Sequence, residues 1–132
     1  MTTRIRALAL ASLAVMFAVA VPASQTPTFT RTQLQDQDLA IKSHHGVMAR
    51  SEFPPGASSG RHFHPGEEFA YMLEGALELT EDGKPPRVYK AGEVIFIPAG
   101  VIHNARNVGT GPAKALATYF LEKGKPLATP VK

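Results

Sequence analysis

Three histidines and one glutamate between residues 62 and 103 have the types and spacing of a metal site. His62 and His64 are one residue apart, so on an extended strand their side chains point to the same side. Glu68 follows the turn signal Pro65-Gly66 and can return to that side on the next strand. His103 comes much later, after a second turn rich in Pro and Gly. Neutral imidazoles and a carboxylate suit a divalent first-row metal.

The spacing around these residues resembles the two sequence motifs of the cupin superfamily. The motifs are Gly56-x5-His62-x-His64-x3-Glu68-x6-Gly75 and Gly92-x5-Pro98-x-Gly100-x2-His103-x3-Asn107, with sixteen residues between them. This short spacing resembles that of small bacterial single-domain members. The resemblance implies an all-β fold, a single cupin-type β-barrel or jelly roll of six to eight strands. It also implies that the metal ligands are His62, His64, Glu68 and His103.

A site with four protein ligands leaves up to two positions open on a six-coordinate metal, where a substrate, a ligand or dioxygen could bind. Closed structural zinc sites use every position and more often recruit cysteines, and this chain has no cysteine. The absence of sulfur ligands disfavours Cu(I) and iron–sulfur chemistry. Fe(II), Mn(II), Ni(II), Cu(II) and Zn(II) all stay open.

The segment after Glu68 has the apolar character of a strand. If Glu68 faces inward, alternation with period two turns Met72 inward as well. The same alternation predicts that Phe69, Tyr71 and Leu73 face the other layer of the fold. No segment with a convincing helical period follows residue 23, in keeping with an all-β fold.

Residues 1–23 are predicted to form a secretory signal peptide. Arg4 and Arg6 supply the positive start, and residues 7–21 form an apolar run of fifteen residues interrupted only by a serine. The small residues at 21–23 favour cleavage after Ala23. The run is shorter than the roughly 20 residues of a transmembrane helix. We therefore expect a periplasmic or secreted protein with no membrane association after cleavage.

Cleavage would leave a nearly neutral chain. Two of the 14 basic side chains lie in the leader, so 12 would face 11 acidic ones. No basic run with interleaved aromatic residues occurs, which argues against nucleic acid as a partner. We expect an extended N-terminal arm (24–38), a barrel (39–122) and an extended C-terminal tail (123–132). The family resemblance also suggests a homodimer, formed by strand exchange through the arm.

Three functions fit this sequence. The first is a metal-dependent enzyme that acts on a small organic molecule by dioxygenation, isomerisation, decarboxylation or a related lyase step. The second is a non-catalytic module that binds a small ligand through the metal, and the weakest is a metal-free structural barrel. No residue outside the ligand set stands out as a general base. The unranked candidates are His44, His45, Arg50, Tyr71 and Tyr119.

Overall fold

The computed structural model of this chain describes residues 26–132, so the predicted signal peptide (1–23) lies outside the described residues. Within 26–132 there is no helix, and hence none with the length and hydropathy of a membrane span. The strands are β1 (Thr30–Asp38), β2 (His44–Phe53), β3 (His62–Phe63), β4 (Glu67–Glu74), β5 (Ala76–Glu81), β6 (Arg87–Lys90), β7 (Val94–Ile97), β8 (His103–Asn107), β9 (Ala113–Glu122) and β10 (Thr129–Pro130).

The strands form two antiparallel sheets of five strands each. The first sheet has the order β1-β2-β9-β4-β7, and the second has the order β10-β3-β8-β5-β6. The chain passes repeatedly from one sheet to the other, as in a jelly roll. The predicted all-β fold is confirmed.

Residues 26–132 contain ten strands, where six to eight were expected, and both the predicted arm and the predicted tail contribute a strand. β1 lies in the predicted arm, where Thr30 pairs with Glu52 of β2 in the same chain. β10 lies in the predicted tail, where Thr129 pairs with Phe63. These terminal segments lack a strong apolar alternation, and they become strands because distant parts of the chain offer them a free edge.

The core lies between the two sheets, and small residues on β9 leave space within it. Ala113, Ala115, Ala117, Tyr119 and Leu121 alternate along β9 and are all buried. Such alternation places every second side chain on the inner face. Because three of these five side chains are only methyl groups, the sheets enclose a cavity instead of a fully packed interior.

The outer face of the first sheet carries a continuous apolar patch. The patch consists of seven outward-facing side chains, each between 37% and 62% exposed: Met48, Phe69, Tyr71, Leu73, Val94, Phe96 and Phe120. The Phe69 ring centroid lies 4.8 Å from that of Phe96 and 6.0 Å from that of Phe120. The prediction that Phe69, Tyr71 and Leu73 face the other layer is therefore wrong, since within the described chain no layer covers this face. Met72 is buried as predicted.

Asn107, the last anchor of the second motif, has a structural position. Its side-chain amide donates to the carbonyl oxygens of Phe53 and Gly111, both at 2.8 Å. Its Oδ1 accepts from the Gly109 N–H at 2.9 Å. A buried side chain that satisfies three backbone groups is costly to replace. Asn107 thereby fixes the loop between β8 and β9 to the end of β2.

Candidate metal centre

Residues from both sheets meet at one end of the cavity. His62 on β3 pairs directly with His103 at the start of β8, in the second sheet. Glu68 on β4 pairs with Tyr119 on β9, in the first sheet. His64 lies in the short connection from β3 to β4 and so passes between the sheets. The centre therefore depends on the two sheets being held face to face.

Two glycines shape the backbone around the centre, Gly66 in the connection from β3 to β4 and Gly100 in the turn before β8. A Cβ on Gly66 would lie 1.7 Å from the carbonyl oxygen of Phe120, so no other residue fits without moving β4 from β9. Gly100, in the turn before His103, has a φ of 75° and donates its N–H to the His64 carbonyl at 2.8 Å. This bond ties the second motif to the first. Backbone contacts alone therefore bring His64 close to the turn that leads to His103.

The structure brings together the three predicted histidines. One ring nitrogen from each of His62, His64 and His103 lies within 4.8 Å of the others, and all three residues are buried. Nitrogens bound to one ion at about 2.1 Å lie roughly 3–4 Å apart. Small rotations of the rings thus suffice to place the three nitrogens around a single cation.

Each of these imidazoles donates a hydrogen bond from Nδ1 to a backbone carbonyl, which fixes its tautomer. A carbonyl oxygen only accepts, so Nδ1 carries the proton and Nε2 of the neutral ring presents a lone pair. The acceptors are Gly60 for His62 (2.8 Å), Val101 for His103 (2.8 Å) and Leu127 for His64. The Nε2 atoms of His62 and His64 are buried and have no hydrogen-bond partner among residues 26–132.

The contact with Leu127 shows that the C-terminal tail is part of this centre. The Val131 N–H also donates to the Arg61 carbonyl at 2.9 Å, next to the pairing of β10 with β3. The sequence predicted only that the tail is extended. Its role was missed because the contacting group is a backbone carbonyl, which no residue type reveals.

Glu68 brings a carboxylate to the same point. Its Oε2 lies 3.0 Å from Nε2 of His64 and 3.7 Å from Nε2 of His103. A carboxylate oxygen and an imidazole lone pair repel each other at this distance unless a cation or a proton lies between them. Tyr119 donates its hydroxyl to the other oxygen, Oε1, at 3.2 Å. Glu67, the preceding residue, points outward and is exposed.

The protonation states follow from this arrangement. Burial lowers the pKa of His62 from 6.5 to about 4, although the bond to the Gly60 carbonyl opposes the shift. Burial alone would raise the pKa of Glu68, but hydrogen bonds from His103 and His64 outweigh it and bring the pKa to about 2. These bonds require a proton on Nε2, which in the metal-free chain takes the place of the cation. Burial, with the charge of Glu68, raises the pKa of Tyr119 well above its ordinary value. At neutral pH the centre therefore has a neutral His62, an ionised Glu68 and a protonated Tyr119.

The structure ranks the other candidates. Tyr119 lines the cavity, whereas Tyr71 and Arg50 lie on the outer face of the first sheet. The ring of His44 contacts the Ser43 hydroxyl, and that of His45 contacts the carboxylate of Asp36. Neither histidine lines the cavity.

A small inner cavity and a larger outer pocket share part of their lining. The inner cavity has a volume of about 40 Å³, and the centre's His62, Glu68, His103 and Tyr119 line it together with apolar residues. The outer pocket has a volume of about 380 Å³ and lies between the start of β1 and the C-terminal tail. Arg31 of β1 lines both, a position that the sequence did not reveal because the arm shows no inward-facing pattern.

The donor set fits a divalent metal. Buried lone pairs without partners, and a carboxylate at 3.0 Å from one of them, are unfavourable until a cation occupies the space between them. Three imidazole nitrogens and one carboxylate oxygen match the preferences of several first-row metals. The backbone carbonyls that hold each ring are the kind of outer partner that orients metal-binding histidines.

Comparison with known proteins gives a family match over this region. A family model described as the cupin domain matches residues 49–119. The oxalate-binding protein of Thermotoga maritima is 38% identical over 76 residues, which is 57% of this chain and 62% of that protein. Germin-like protein 1-1 of Oryza sativa subsp. japonica is 36% identical over 77 residues, covering 54% of this chain and 36% of the rice protein. The matched region is thus less than two thirds of either relative.

Solved structures with the same fold include an oxalate oxidase. It aligns with a TM-score of 0.64 and 27% identity, over 82% of this chain and 57% of that chain. A double-stranded β-helix protein from Klebsiella pneumoniae aligns with the same TM-score of 0.64 and 20% identity, over 84% of this chain and 90% of that chain. The second likeness concerns the fold alone.

The lowered pKa of His62 predicts that the metal-free protein loses stability as the pH falls from about 6.5 to about 4. In this window the unfolded chain binds a proton on His62 and the folded chain does not, so the free energy of unfolding rises with pH. Glu68 adds a further loss of stability below pH 4.5, because there the unfolded chain protonates this carboxylate and the folded chain keeps it ionised. Urea unfolding in the presence of a chelator, between pH 4 and pH 7, measures the slope.

The variant His62→Gln should flatten this slope between pH 4 and 6.5, because it removes a group that binds a proton there in the unfolded chain and not in the folded one. An unchanged slope in this variant would contradict the assignment of the pH dependence to His62.

Proposed function

This chain belongs to the cupin family, and we propose that it is a metal-dependent enzyme that acts on a small organic molecule. In this proposal His62, His64, Glu68 and His103 bind one divalent metal, which is Fe, Mn, Ni, Cu or Zn. The observation that carries the proposal is the convergence of buried, unpaired imidazole nitrogens and a carboxylate at one end of a cavity.

When bound, the metal supplies a Lewis acid and a template for the substrate. The protein residues hold the imidazole rings in one tautomer, and the apolar walls formed by Leu77, Leu79, Ile95 and Ile97 exclude bulk water. The protonated Tyr119 hydroxyl orients the Glu68 carboxylate. Once the four ligands are assigned to the metal, Tyr119 and Arg31 are the titratable groups that the described residues leave on the cavity wall.

The relatives favour a small, oxygen-rich ligand. One is named an oxalate-binding protein, and one solved structure with 27% identity is an oxalate oxidase. Oxalate is therefore the first compound to test. A cavity of about 40 Å³ favours a compact molecule of this kind over a bulky one.

A binding module without turnover is the second candidate. It is favoured because, in the described part of the chain, the cavity wall has no carboxylate or histidine beyond the four proposed ligands to act as a general base. Oxygen consumption and product formation over carboxylic acids, keto acids, enols and phenols separate the two candidates. Ligand binding with no turnover of any of these compounds would favour the module.

Metal content tests the proposed ligands directly. We expect about one metal ion per chain in the purified protein, and the variant His103→Ala should lose it, with turnover. The loss in affinity should exceed the roughly 100-fold that removing an outer hydrogen-bond partner costs. Elemental analysis after dialysis, and competition with a chelator, measure this.

The control variant is His44→Ala, which removes a histidine that contacts Ser43 outside the cavity. It should retain the metal. Full metal content in His103→Ala, or a wild-type protein that never takes up a metal, would refute the proposed site.

We also propose that the protein is exported and that residues 1–23 are removed. The positive start and the apolar run of residues 7–21 support this. N-terminal sequencing of protein recovered from the periplasm or the medium should give a chain that begins at Ser24. A full-length chain retained in the cytoplasm would contradict export.

The apolar patch on the first sheet supports a homodimer. Aromatic side chains bury about 200 Å² each, so the four aromatic members of the patch, each a little less than half exposed, offer roughly 350 Å². Met48, Leu73 and Val94 add to this area. A standard interface buries about 800 Å² per partner, and a flat face pairs readily with its own copy around a twofold axis. Because β1 already pairs with β2 of its own chain, this face supports the homodimer better than strand exchange does.

The variant Phe69→Lys should convert the dimer to a monomer, because it places a charge at the centre of the patch. Light scattering with gel filtration measures the mass. The matched control is Ile41→Lys, which changes an exposed apolar residue outside the patch and should leave the dimer intact. A monomeric wild-type protein, or a dimeric Phe69→Lys variant, would contradict this interface.

A further inference from the structure

Arg31 stands at the junction between the inner cavity and the outer pocket. These two spaces share three lining residues, which are Arg31, Ser59 and His62. Arg31 pairs with Ser51 across β1 and β2, and Ser51 also lines the cavity. A ligand that reaches the metal centre from the outer pocket would therefore pass a guanidinium group.

Aromatic rings hold this guanidinium in place. Its Cζ lies 5.1 Å from the ring centroid of Phe29 and 5.6 Å from that of Tyr119. Tyr119 is the residue whose hydroxyl donates to Glu68. Arg31 is thus placed against the wall of the metal centre by stacking contacts that leave most of its N–H donors available.

The charge of Arg31 has no counterpart among residues 26–132. Arg31 forms no ion pair there, and its Nε is buried without a hydrogen-bond partner. Arg61, the other cation of the outer pocket, donates to both carboxylate oxygens of Asp82 at 3.0 and 2.9 Å. A buried donor without an acceptor is costly, so an anion at the mouth of the cavity would be stabilised by Arg31 and not by Arg61.

We propose that Arg31 is the residue that selects an anionic ligand, by binding its carboxylate as the ligand enters the metal centre. The inference rests on the proposed function, because the ligand is the one that the metal site takes. The guanidinium fork matches a carboxylate with two parallel hydrogen bonds. Arg31 lies outside the residues matched by the family model, 49–119.

The two volumes limit the shape of the ligand. A water molecule needs about 10–15 Å³ of such space, so the inner cavity of about 40 Å³ holds only a few atoms besides a metal ion. The outer pocket, at about 380 Å³, can hold the rest of a longer molecule. The ligand class is therefore a carboxylate with a small head group, either compact as a whole or extended away from the metal.

Paired charged and neutral probes test this role. Oxalate and acetate are titrated into the full protein by calorimetry, alongside oxamide and acetamide, which have similar shapes and no charge. The wild-type protein should bind the carboxylates and discriminate against the amides. Arg31→Gln should weaken oxalate binding by roughly 10- to 100-fold, as expected for lost hydrogen bonds to a charged group. Arg31→Lys, which keeps the charge without the fork, should fall between the two.

The matched control is Arg61→Gln, which removes the outer pocket's paired cation. It should change oxalate affinity by less than about fivefold, since an exposed ion pair contributes little. Metal content and thermal stability are measured for each variant, so a variant that fails to fold or to bind metal is recognised. Arg31→Lys remains informative if Arg31→Gln does not fold.

The inference is overturned if the carboxylates do not bind at millimolar concentration, if the amides bind equally well, or if binding is the same in the Arg31 variants and the wild-type protein. These results leave the metal content intact and so do not refute the metal site. A protein that takes up no metal but still binds oxalate through Arg31 would refute the proposed function and support the role of Arg31.

Discussion

Repulsion between lone pairs at one buried point is the constraint on which this structure depends. Backbone carbonyls fix the proton of each neutral imidazole on Nδ1, so the Nε2 atoms of His62, His64 and His103 present lone pairs to the centre when the rings are neutral. The ionised Glu68 adds a carboxylate at 3.0 Å from one of them. Without a positive charge between them, these groups destabilise the interior. The two sheets, the close packing of Gly66 against β9 and the C-terminal tail hold the groups together against this repulsion.

The parts of the fold and site that the sequence predicted are those encoded locally. His62 and His64 share a side because strand residues alternate, and Glu68 and Met72 follow the same rule on β4. The order of glycines, prolines and acidic residues around them resembles a family pattern, which connected His103 to the centre over a long stretch of chain. Both signals depend on residue type and spacing, which a single sequence displays.

The parts that the sequence did not predict depend on long-range pairing or on what covers a surface. Arg31 reaches the cavity only because β1 pairs with β2, and Leu127 contacts His64 only because β10 pairs with β3. Alternation divided β4 into two faces, but it could not tell that the face of Phe69 lies outside the barrel. A strand pattern identifies two sides, and only the assembled sheets determine which side is covered.

The charge balance of the cavity connects the metal proposal with the role of Arg31. A divalent ion and the guanidinium together bring three positive charges, and Glu68 brings one negative charge, so the site would carry about two positive units in a low-dielectric environment. A neutral ligand leaves this excess in place, whereas a monoanion or dianion reduces or removes it. Without Arg31 the same site would carry about one positive unit, because the carboxylate of Glu68 offsets one of the ion's two charges. The preference for an anionic ligand would then be weaker. A single arginine contributed by the N-terminal strand thus shifts a general metal centre towards acidic ligands.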